Sequence, residues 1–148
     1  MEFNFDYMSV KQKINLANHP NTPAEELQEL ATDDSSIIRY YVAKNPKNFA
    51  YVLRSLSQDT NMDVRCRVAS NPSSPEDILR YLAKDAFYWV RRSVIKNPRI
   101  SINNLVVLFE YEKNLKNPDT DVIRDLYTNK KLPIGIKRVI ETLYGDWL

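Results

Sequence analysis

Three observations in the sequence predict an all-α fold, an α-solenoid of about four 26-residue two-helix repeats closed by capping helices at both ends. The first is composition. The 148 residues include 2 glycines, too few for primed hairpin turns, Gly-rich phosphate loops or bulged sheets. The second is a period, because Pro20, Pro46, Pro72 and Pro98 stand 26 residues apart. The third is that other positions keep the same step. Asn45, Asn71 and Asn97 precede three of those prolines, with His19 in the first slot. Leu27, Leu53, Leu79 and Leu105 share one place, and Leu30, Leu56, Leu82 and Leu108 share another. Ile38, Val64 and Val90 form a third row, and Leu16, Val42, Val68 and Val94 a fourth.

The elements follow in order along one domain spanning 1–148. Residues 1–18 are expected to form an N-terminal cap helix, opened by the capping-box pattern Ser9 to Gln12. Residues 19–110 carry the repeats, each a helix A and a helix B. In Thr22-Pro23-Ala24-Glu25 and Ser74-Pro75-Glu76-Asp77 a hydroxyl is placed to cap helix A, with proline at its first position and a carboxylate in its first turn. Leu27, Leu30 and Ala31 then fall at i, i+3 and i+4, a helical stripe. A polar break such as Thr32 to Ser36 or Gln58 to Asp63 follows. Helix B turns Ile38, Val42 and Ala43 inward and stops at Asn-Pro, since the residue before proline is driven out of the α region. Asparagine suits that stop by tolerating left-handed geometry. Helices of about ten residues are marginal in water and must gain stability by stacking.

Residues 111–148 are expected to form a C-terminal cap. Here the register decays: Ile100 replaces the capping hydroxyl, Phe109 replaces a small residue, and Asn117-Pro118 arrives after 20 residues instead of 26. Helices are expected near Ser101 to Lys113, Thr120 to Thr128 and Pro133 to Tyr144, with Trp147 and Leu148 folding back.

Composition also excludes function classes. One cysteine and one histidine cannot make an internal disulfide, a Cys/His zinc site or a cysteine-ligated iron–sulfur cluster, so no cofactor or metal is expected. No apolar run approaches membrane-spanning length, and Met1 to Asn18 contains Glu2 and Asp6 where a signal peptide needs a basic start and an apolar stretch. The expected location is cytoplasmic.

The unit Val64-Arg65, Val68-Ala69, Asn71-Pro72, Ser74-Pro75, Ile78-Leu79 and Leu82-Ala83-Lys84-Asp85 resembles the leucine-rich repeat variant family, a relative of HEAT-type solenoids. The likeness covers roughly Lys11 to Phe109. It implies alternating helices wound into a right-handed superhelix. Some members of that family carry an iron–sulfur cluster on a cysteine-rich N-terminal segment; this chain has only Cys66, inside a repeat, so no cluster is implied. The family has no agreed biochemical activity, so the resemblance implies shape more than function.

Two features stand outside the core pattern. Lys13, Arg39, Arg65 and Arg91 place one cation per repeat at one helix B position, a row about 30 Å long if stacked helices lie 8–10 Å apart. Residues 61–100 hold 8 basic and 4 acidic side chains against 6 and 8 in residues 1–60, although the chain carries only +2 overall. Such a row either follows a phosphate backbone or an acidic partner, or pairs with the equally recurrent Asp33, Asp59 and Asp85 as an intramolecular ladder. The second feature is Phe87-Tyr88-Trp89, read as three aromatics in a polar inter-helix loop, serving as a binding anchor or as cover for the C-terminal cap. Tyr40 and Tyr41 pose the same choice. His19 reads as a structural substitute for asparagine, Cys66 as an inert thiol between Arg65 and Arg67, and Glu25, Glu26 and Glu29 as a solvated helix face.

The leading functional expectation is a non-catalytic interaction module that binds a protein through the helix B face around Tyr41, Arg65, Arg67, Trp89 and Arg92. The alternative is nucleic-acid binding through Lys13, Arg39, Arg65 and Arg91. More remote is a resemblance to HEAT-like DNA glycosylases, which combine a carboxylate, aromatics and cations; Asp85, Trp89, Arg91 and Arg92 occur together here, but the recurrence of Asp85 as Asp33 and Asp59 points to structure.

Overall fold

The structure, a computed structural model, describes residues 5–148; Glu2, part of the reading of the first residues, lies outside them. Among the described residues are ten α-helices, two 3₁₀ segments (Phe5–Tyr7 and Gly145–Trp147) and no strands. The helices are α1 Val10–Asn18, α2 Ala24–Leu30, α3 Ser36–Lys44, α4 Ala50–Leu56, α5 Met62–Ser70, α6 Glu76–Leu82, α7 Tyr88–Ile95, α8 Ile102–Lys113, α9 Thr120–Thr128 and α10 Ile134–Tyr144. None is long and apolar enough to cross a membrane.

Helices of seven to nine residues from α1 to α7 cannot hold themselves in water. Their stability comes from neighbours. The odd-numbered helices pack in succession, α1 on α3, α3 on α5, α5 on α7 and α7 on α9, and helices consecutive in the chain touch from α1 through α7 and from α8 through α10. The period-26 rows supply the contact surfaces. Leu27, Leu53, Leu79 and Leu105 are wholly enclosed, as are Val42, Val68 and Val94. Each such aliphatic side chain contributes about 1.5–3 kcal/mol on leaving water. Ala17, Ala43 and Ala69 form one more buried row, completed by Ile95 in α7.

The turns between helices are tied by side chains rather than by glycine. Asn45, Asn71 and Asn97 are buried, the first two with extended backbones at φ near −61° and −69°, and no residue among those described, glycine included, has positive φ. The left-handed stop expected for asparagine is therefore replaced by another device. Each Nδ2 donates to two carbonyls of the preceding odd helix and its turn: Asn45 to Ala17 and His19, Asn71 to Ala43 and Asn45, Asn97 to Ala69 and Asn71, at 2.7–2.9 Å. Each Oδ1 accepts the amide two residues on. In the first slot His19 reproduces this last contact, its Nδ1 accepting from Asn21 N.

Two expected details shift. Helix A starts after its proline, with Pro23 and Pro75 as caps, because the preceding hydroxyls are turned backwards: Thr22 Oγ1 donates to Leu16 O and Ser74 Oγ to Val68 O, and Asn48 does the same to Val42 O. They close the end of the previous helix instead of opening the next. The C-terminal region also keeps more of the pattern than its sequence suggests. Asn117-Pro118 lies in a loop, while Asn129, 32 residues after Asn97, donates to Ile95 O as its counterparts do. Six extra residues, spent on a longer α8 and its loop, separate α7 from α9, which still pack together, though less extensively than the earlier odd-numbered pairs. The capping box of Ser9 and Gln12 forms as expected, and Trp147 folds back on Tyr144 at 5.0 Å.

Leu79→Ala should cost about 2–5 kcal/mol in urea unfolding, as for a leucine with no exposed surface. Asn71→Ala strips two buried carbonyls of their donor, at about 1–3 kcal/mol each, and should match the leucine deletion although it removes less apolar area.

Candidate functional site

The row of cations is an internal ladder. Each arginine reaches forward to a carboxylate 20 or, for Arg91, 21 residues on and backward to a carbonyl six residues before. Arg39 Nε donates to Asp59 at 2.7 Å while its Nη1 donates to Asp33 O. Arg65 repeats this with Asp85 and Asp59 O, and Lys13 begins it with a single 2.6 Å contact to Asp33. At the far end Arg91 meets Glu112 in place of an aspartate, with 4% and 0% of the two side chains exposed. The carboxylates also hold the next helix start, since Asp33, Asp59 and Asp85 accept the amides of Ser35, Asn61 and Phe87, and Glu112 accepts that of Asp119. Burial by itself would raise the Asp33 and Asp59 carboxyls; the hydrogen bonds from Lys13 or Arg39 and from the backbone amides outweigh it and hold both below the ordinary carboxylate range.

Such geometry commits the donors of Lys13, Arg39, Arg65 and Arg91 to the interior of the fold. Arg65, expected on the binding face, stands in this ladder with its guanidinium 5.5 Å from the Phe87 ring. A groove of about 590 Å³ runs beside it, lined by Asp59, Arg65, Asp77, Arg80, Tyr81 and Lys84. Its three carboxylates, Asp59, Asp77 and, also in the lining, Asp85, are taken by Arg39, Arg54 and Arg65 in turn. Among the described residues, no group of three or more His, Cys, Asp or Glu side chains is placed to hold a metal ion.

A different surface gathers the other expected residues. In α3, α5, α7 and α9 the second, fifth, sixth and ninth positions, counting the C-cap Lys96 as the ninth of α7, lie on one side, away from the buried third and seventh. Adjacent helices are joined there by a contact from the fifth position of one to the sixth of the next. Arg67 stacks over the Tyr40 ring at 4.7 Å; Cys66 hydrogen-bonds with Ser93; Arg92 Nε donates to Asp125 at 2.7 Å. Tyr41, Arg67, Trp89 and Arg92 therefore share one continuous face. Trp89 is 47% exposed and Ile37, which occupies the same slot two odd helices earlier, 44%.

Cation–π contacts stiffen this face, each worth about 0.5–1 kcal/mol at such exposure. Lys44 lies 5.5 Å over Tyr41 and Arg92 5.3 Å over Trp89, with Arg92 also donating to Asp121. Phe87-Tyr88-Trp89 is not a loop: Phe87 is the N-cap of α7, and Tyr88 and Trp89 are its first turn. Tyr88 packs against the core while Phe87 and Trp89 face solvent. Ile37 and Lys44 escaped the sequence reading, although placing Ile37 and Trp89 in one helical slot, 52 residues apart, signals them. Cys66 is partly buried, and burial pushes its thiol above the usual cysteine range, away from reactivity. Glu25 and Glu29 are exposed on α2.

Compared with known proteins, the chain matches no family model, no curated protein and no solved structure.

Arg91→Met leaves Glu112 charged and enclosed and should cost about 3–5 kcal/mol in urea unfolding; adding Glu112→Gln, which removes the charge and keeps an acceptor for Asp119 N, should recover part of it. Because the Asp33 and Asp59 carboxyls titrate below their unfolded value near about 3.9, their stabilisation is complete above that pH and is lost as pH falls through the folded values. Unfolding free energy followed from about pH 5 to pH 2 should fall, and fall less steeply in Asp59→Asn.

Proposed function

We propose that this chain is a non-catalytic interaction module: a right-handed α-solenoid of about four 26-residue two-helix repeats with capping helices, similar to the leucine-rich repeat variant family, that binds a protein partner through the exposed face of its odd-numbered helices. One observation carries the reading. Trp89 stays about half exposed on a face otherwise set by packed aromatics and arginines, the side chains that dominate binding energy at protein interfaces. A solvent-facing tryptophan held by Tyr88 and Arg92 is already ordered, so little rotamer entropy is lost on docking.

Phosphate binding through Lys13, Arg39, Arg65 and Arg91 fits less well, because their donors already serve carboxylates and carbonyls. Catalysis centred on Asp85 fits least, since that carboxylate accepts from Arg65 and from Phe87 N.

Affinity capture of partners from a lysate of the producing cell tests the proposal. Trp89→Ala and Arg67→Glu should each abolish capture of a partner retained by the unaltered protein, with melting temperatures within about 4 °C of it. Capture indifferent to both substitutions would overturn the assignment of the face, and unfolding of Trp89→Ala would make that residue core.

A further inference from the structure

The charge of this face sets the chemistry of what it binds. Its slots on α1, α3, α5 and α7 carry Lys11, Lys44, Arg67 and Arg92, with Lys96 at the C-cap of α7, and a single carboxylate, Asp63. The molecule itself displays how these cations are satisfied. Arg92 takes Asp125 and Asp121, one turn apart on α9, and Lys96 shares Asp125 at 3.4 Å. One helix earlier the corresponding forward slots hold Trp89 and Ser93 instead of aspartates. Arg67, the residue after Cys66, which is the α5 counterpart of Arg92, has the Tyr40 ring of the preceding odd helix beneath it and, among the described residues, no carboxylate; Lys44 over Tyr41 likewise has a ring and no carboxylate, and Lys11 has neither.

The apolar groups alternate with these cations. Ile37 and Trp89 mark the two ends, two packed helices apart, about 16–20 Å. That distance is covered by about six residues of extended chain. Resting on the interaction-module reading above, we infer that the partner contributes an acidic segment with interspersed apolar side chains, its carboxylates meeting Arg67 and Lys44 and its apolar groups seating on Ile37 and Trp89. The α9 aspartates are the internal counterpart of that segment. A nucleic-acid strand is the poorer occupant, because three unneutralised cations spread over three helices are few for a phosphate backbone and the arginine row is spent within the fold.

Fluorescence anisotropy with defined probes tests this on the full chain. The probes are a labelled peptide of about 16 residues alternating Glu and Asp with Leu and Phe, the same peptide with Gln and Asn for its acids, and a single-stranded RNA, all at about 50 mM salt. The acidic peptide should bind at least about tenfold tighter than its amide counterpart and than the RNA. Lys44→Glu/Arg67→Glu and Trp89→Ala should each weaken it about tenfold or more, whereas Lys116→Glu, an exposed cation in the loop before α9, should change nothing. Thermal melts of the same variants confirm that they remain folded. Equal binding of the amide peptide, preference for RNA, or no binding of the acidic probe overturns the inference. If the acidic probe fails while Trp89-dependent capture of a partner holds, only the acidic chemistry falls; if capture is indifferent to Trp89, the interaction-module reading falls with it.

Discussion

Everything in this molecule depends on a side-chain amide that replaces backbone pairing between successive turns. Seven- to nine-residue helices leave most of their terminal carbonyls without intrahelical donors, and burying such ends is costly. Asn45, Asn71 and Asn97 answer this by capturing carbonyls of the preceding helix end with one nitrogen and fixing the following turn with the oxygen. These hydrogen bonds hold successive odd helices in one repeating relation. The leucine and valine rows then fill a gap of constant width, which explains why both recur with the asparagine step.

The arginine ladder works on the opposite edge. Its guanidinium is planar and bidentate, so it can tie a carboxylate ahead to a carbonyl behind, and the same carboxylate orients the next helix start. Two ladders at two edges hold the odd helices side by side. On the surface between those edges the inter-helix contacts change from one pair to the next, and there the sequence departs from its own repetition: Ile37, Asp63 and Trp89 share a slot, as do Tyr40, Cys66 and Arg92. Regular rows build the scaffold and irregular slots differentiate its exposed side.

Much of this was legible from residues alone. The proline and asparagine step placed the helices, and Thr120 to Thr128 matched α9 at both ends. What the sequence hid was direction. A hydroxyl before Pro75 is compatible with capping either neighbour, and only the fold turns Ser74 back to Val68. Asn117-Pro118 carried the visible signature while Asn129, followed by lysine, carried the physical role, because the amide contact does not need the proline. On the exposed side of the odd helices, the cation row is where repetition is strongest, and strict recurrence is what a structural contact requires; Tyr41, Arg67 and Trp89, of different residue types and not all in one slot, come together only when the helices lie side by side.

The ladder is also unequal along its length. Its first rung is a lysine making one contact, its middle rungs are forked arginines, and its last is an arginine and a glutamate wholly shut from water. A lysine amine rotates freely and gives up its partner more readily than a planar fork. The rung between α1 and the turn before α3 is therefore the one most open to exchange with water, and the rung from α7 to α8 the least, so the clasp tightens along the chain.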